Sequence, residues 1–99
     1  MKRREGFERL QEEIAREKAA ALGRTGERLE AALDEVRILG LALDVESDPE
    51  RRTERLREYE AARRRAATAR TMLLIQREAI GLRHHRVVDQ QFPEPPRRS

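Results

Sequence analysis

The sequence predicts an all-α fold: an antiparallel helical hairpin of two long helices, followed by a short C-terminal helix and a disordered tail. Three observations carry this expectation. Two long runs of helix-forming residues, Glu5 to Leu39 and Pro49 to Ile80, are closed by Gly40-Leu41 and Gly81-Leu82. Ser47-Asp48-Pro49-Glu50 opens the second run with an acidic cap, capping-box spacing and proline at the first helical position. In both runs, apolar residues recur at steps of three and four.

The first run carries the stripe Phe7, Leu10, Ile14, Lys18, Ala21, Thr25, Leu29, Ala32, Val36, Leu39 and Leu43. Lys18 can lay its methylenes along such a seam with the amine in water, and Thr25 is small enough to sit between packed backbones. Gly23 and Gly26 allow two readings. They cost about 1 kcal/mol each inside a helix and so could mark a break. Alternatively, with Ala19 and Ala20, they make a face without bulk that another backbone can approach. The stripe keeps its phase through both glycines, which favours one continuous helix.

The second stripe is Leu56, Tyr59, Ala62, Ala66, Ala69, Leu73, Gln76 and Ile80. Its alanine centre matches the small-residue centre of the first helix, so the hairpin can close tightly in the middle. Met72-Leu73-Leu74-Ile75 is apolar on more than one face, which leaves Met72, Leu74 and Ile75 as a candidate interface. Ile80-Gly81-Leu82 reads as a helix stop with a left-handed glycine. Arg83 to Gln91 fits a short third helix anchored by Val87 and Val88. Residues 1–91 then form the hairpin domain. Residues 92–99, rich in proline and charge, form a disordered tail that formally contains Pro-x-x-Pro-x-Arg.

Composition narrows the function. The 99 residues are 41% charged and 3% aromatic. Two helices with so few large side chains build a thin core, and a second copy of the chain is the simplest extra cover, so a homodimer is expected. With no cysteine there is no disulfide, thiolate metal site or cysteine nucleophile. The basic start Met1-Lys2-Arg3-Arg4 is followed by Glu5, Glu8, Glu12 and Glu13 where a signal peptide would be apolar. The longest apolar run, Ile38 to Leu43, is far short of the ~20 residues of a membrane span. A cytoplasmic protein without membrane contact is expected.

Charge is unevenly shared. Residues 1–46 hold 9 basic and 11 acidic side chains, and residues 47–99 hold 13 and 8. Between Ala61 and Arg77 stand five arginines and no acid. Arg63, Arg70 and Arg77, a heptad apart, form a linear basic edge that is a candidate nucleic-acid contact. Without aromatics to stack on bases or helix-turn-helix spacing, such an edge supports weak, non-specific binding at most. A solvated face is the plainer account, since arginine outnumbers lysine 20 to 2 along the chain.

Catalytic and metal chemistry find little footing. His84 and His85 are adjacent, about 100° apart on a helix, and Asp89 has no second carboxylate beside it. The carboxylates at Glu12, Glu13, Glu17, Glu30, Asp34 and Glu35 interleave with arginine on exposed positions. No P-loop spacing surrounds Gly23 and Gly26. The expectation is a protein that is not an enzyme and carries no cofactor.

Three segments resemble a family of small alphaproteobacterial helical proteins of no established function: Phe7-Glu8-Arg9-Leu10 with Glu12-Glu13-Ile14, Ala21 to Leu33, and Gln76 to Arg83. The resemblance covers residues 7–40 and 70–90, and the tail from Phe92 departs from it. It implies a bacterial cytosolic helical protein and no particular activity. The sequence as a whole points to a helical interaction module, adapter or assembly element, that self-associates. The alternative is a nucleic-acid-associated accessory factor using the arginine edge.

Overall fold

The computed structural model describes residues 2–99 and shows an all-α hairpin. Helix α1 spans Lys2–Val45, α2 spans Pro49–Ala79, and a short α3 spans Arg86–Gln91. The molecule is a rod of 73 × 20 × 15 Å.

Local chemistry sets the boundaries of α2. Asp48, in an extended conformation, accepts a hydrogen bond from the Arg51 backbone N–H at 2.9 Å, and Pro49 follows in the first turn. Asp48 is thus the N-cap, the acidic cap expected before Pro49. At the other end Gly81 takes φ +91°, the Leu82 N–H reaches the Arg77 carbonyl at 2.9 Å, and the Gly81 N–H reaches Glu78 at 3.0 Å. This is the left-handed stop expected at Ile80-Gly81-Leu82.

Helix α1 runs unbroken through Gly23 and Gly26. A Cβ at either glycine would meet nothing within 4 Å, so within this chain they are not a point of close approach. Gly40 does not end α1, which continues to Val45. The reason is tertiary. A Cβ on Gly40 would lie 3.2 Å from the Tyr59 ring and 3.4 Å from Arg98, so this glycine admits a ring against the helix backbone. The true end of α1 is capped from α2, where Arg52 donates to the Leu43 carbonyl at 3.0 Å.

Two clusters hold the hairpin. Near the turn, Val36, Leu43, Tyr59, Ala62 and Ala66 are buried, with Leu33, Leu39 and Leu56 packed around them. Further along, Leu29, Leu73 and Val88 are buried, with Leu22, Ala69, Leu74 and Phe92 beside them. Each fully buried leucine or valine contributes about 1.5–3 kcal/mol. Ala62 and Ala66, 0% and 2% exposed, pack against Val36, Leu33 and Leu39 of α1 and not against its small-residue centre, where Thr25 instead faces Gln76. Buried Thr25 lies 3.0 Å from the Ala21 carbonyl and 2.6 Å from the Gln76 side-chain oxygen, a polar contact within the packed seam.

The α1 stripe recurs every 11 residues, as in Phe7, Lys18 and Leu29 or Leu10, Ala21, Ala32 and Leu43. That period, about 3.67 residues per turn, differs little from the ~3.6 of an α-helix, so the stripe drifts only slowly around α1.

The tail has no helix or strand, yet it is not the free end that a disordered segment would be. Phe92 packs on the Leu29–Leu73–Val88 cluster. The Tyr59 hydroxyl donates to the Pro96 carbonyl at 2.6 Å, and Arg98 pairs with Asp44 while standing 5.4 Å from the Tyr59 ring centroid. Arg52 closes the strap on the Ser99 carbonyl at 3.3 Å. Restricted prolines lose little entropy on docking, and Tyr59 supplies a donor for a carbonyl that would otherwise face only water.

Candidate interaction surfaces

The two helices differ in length, 44 residues against 31. Opposed pairs such as Thr25 with Gln76 and Glu35 with Arg65 fix the register and bring the end of α2 beside Leu22. Residues 3–20 of α1 are all exposed, and at 1.5 Å per residue they form an arm of roughly 27 Å. The arm carries the start of the apolar stripe without cover. Phe7, Leu10 and Ile14 are 60%, 52% and 41% exposed. The sequence shows this stripe but gives no sign that α2 stops short of it.

The interface read from α2 is present in part. Met72 and Ile75 are about half exposed and lie one turn apart. Leu74 is half-buried and belongs to the cluster around Leu73, so it is part of the fold. Three further exposed apolar residues, Ile38, Leu41 and Val45, lie toward the turn end of α1.

The arginine edge is occupied. Arg63 pairs with Glu60 at 3.0 Å. Arg70 bonds Asp89 and donates to the Phe92 carbonyl at 2.7 Å. Arg77 donates to the His84 carbonyl at 3.0 Å and approaches His85 Nδ1 at 3.4 Å. Two of the three therefore brace the turn, α3 and the tail. Arg65 bridges to Glu35 of α1 at 2.6 Å.

His85 Nε2 lies 2.9 Å from a Glu78 oxygen while Nδ1 faces Arg77. His84 is exposed. Among the described residues no three His, Asp or Glu side chains converge as metal ligands, and no helix is long and apolar enough to cross a membrane. The groove beneath the tail is lined by Leu33, Val36, Leu41, Tyr59, Pro93 and Pro96. Asp44 and Tyr59 hold the Arg98 guanidinium's pKa above its ordinary value, the bond to Asp44 being the larger cause. No family model, curated protein or solved structure matches this chain.

Proposed function

We propose that this protein is a small non-catalytic helical module for protein–protein interaction, an adapter or assembly element that works by self-association in the cytoplasm. One observation carries the reading: the apolar seam of α1 outruns the helix that covers it, leaving Phe7, Leu10 and Ile14 exposed in line. Helices in proteins draw most of their stability from packing an amphipathic face, which the exposed residues 3–20 lack, and a contiguous exposed apolar stripe marks an association surface. The nucleic-acid reading draws no support from Arg63, Arg70 and Arg77, each of which is engaged within the chain.

Light scattering at tens of micromolar should give twice the 11.6 kDa chain mass. A monomer that persists to 100 µM refutes self-association.

A further inference from the structure

We infer that the arm of α1 pairs antiparallel with the arm of a second copy, extending each hairpin's seam end to end. This deepens the self-association reading and rests on it, but it assigns the contact to the arm rather than to Met72 and Ile75.

The argument begins with phase. Phe7, Leu10 and Ile14 lie on the same line along α1 as Thr25, Leu29, Val36 and Leu43, which α2 covers. The cover needed over the arm is therefore a helix lying where α2 would lie if it were longer. Since α2 runs antiparallel to α1, a helix continuing its path runs antiparallel too.

A second copy fills that place in one orientation. In a parallel pair, the partner's α1 would advance past Leu22 along the seam and meet α2, which already occupies it. In an antiparallel pair, the partner's arm follows α2 along the seam. Its own α1 then leaves the arm region and passes under its own α2. Each chain completes the other, and neither hairpin opens.

The side chains fit a two-fold axis near Leu10. Leu10 then meets its counterpart, and Phe7 faces the partner's Ile14. Arg3, near the middle of the seam, comes beside Glu17 on the second chain. Arg4 and Lys18 share the other edge and repel mildly across the axis, with long stems that let their charges spread into water. Three large apolar side chains per arm make a small interface, below the ~1,200 Å² of the standard class. The dimer should therefore dissociate in the micromolar range.

The test uses the full chain with Leu10→Glu/Ile14→Glu, and Ile75→Glu as comparison. Both arm positions are exposed in the single chain, so the double variant should keep the hairpin's melting transition while its mass falls to that of a monomer. Ile75→Glu should remain dimeric. X-ray scattering of the wild-type dimer should show a longest dimension near 120 Å, two 73 Å rods overlapping by an arm of roughly 27 Å. If the arm variant stays dimeric, or if the dimer is no longer than about 80 Å, the arm assignment falls while self-association stands. If Ile75→Glu alone yields monomers, the contact belongs to α2. A wild type that is monomeric at 100 µM overturns both.

Discussion

Replacing Gly26 and Gly40 with alanine, one at a time, should affect stability unequally, with a gain at Gly26 and none at Gly40. Both lie inside α1, where alanine is favoured over glycine by about 0.8–1.0 kcal/mol. At Gly26 the new methyl meets nothing within 4 Å, so the full gain should appear. At Gly40 it would sit 3.2 Å from Tyr59 Cε2 and 3.4 Å from Arg98. The ring cannot yield freely, because Tyr59 is 2% exposed and its hydroxyl is tied to Pro96. Overpacking costs about 1–3 kcal/mol, and one methyl against a ring edge falls at the low end. Gly40→Ala should therefore be neutral or lose about 1 kcal/mol, leaving the two variants about 1–2 kcal/mol apart. For a domain of this size each kcal/mol moves Tm by about 4–8 °C. Melting followed by circular dichroism resolves that difference, provided protein concentration is held fixed so that association adds no offset. Equal stabilisation by both substitutions would refute the packing of Tyr59 on Gly40, and with it the reason given for glycine inside α1.

Four further expectations concern the hairpin and its strap. Deleting Phe92 to Ser99 should lower Tm. Tyr59→Phe should cost about 0.5–1.5 kcal/mol in the full chain but nearly nothing in the shortened one, a coupling that a double-mutant cycle of melts reads directly. Thr25→Val removes the hydroxyl facing Ala21 and Gln76 and should cost about 1 kcal/mol. Adding Gln76→Leu should recover part of that loss in urea unfolding, since no polar group then remains unpaired. Ala66→Leu places bulk at a 2% exposed position packed on the Val36 cluster and should cost about 1–3 kcal/mol by thermal melting. An unchanged Tm would place Ala66 outside the packed seam.

The hairpin was legible because its signals are local and periodic. The stripes that include Leu29, Val36 and Leu43 on one helix and Tyr59, Ala62, Ala66 and Leu73 on the other are the residues the structure buries. Asp48-Pro49 and Gly81 act within a few residues of themselves. What escaped the sequence depends on distant partners. Gly40 looks like a stop because glycine is a poor helix former, and only the ring of Tyr59, 19 residues on, explains its place inside α1. With Gly40 taken as the end, the two helices are of similar length, and the arm goes unseen. The arginines at 63, 70 and 77 line up as a heptad, yet what occupies Arg70 and Arg77 includes backbone carbonyls of Phe92 and His84, for which sequence carries no residue code. The strap likewise depends on one phenol meeting one proline carbonyl 37 residues away.

The overhang of α1 gives one continuous helix two kinds of stability. From Thr25 to Leu43 its amides are shielded by α2 and open only when the hairpin itself unfolds. From Arg3 to about Ala20 they depend on the helix's own hydrogen bonds, so this part can open at little cost and leave both buried clusters intact. Amide hydrogen exchange would therefore divide a single helix near Leu22 into a fast and a slow half. Covering the arm would carry that boundary toward Arg3 with no change in secondary structure.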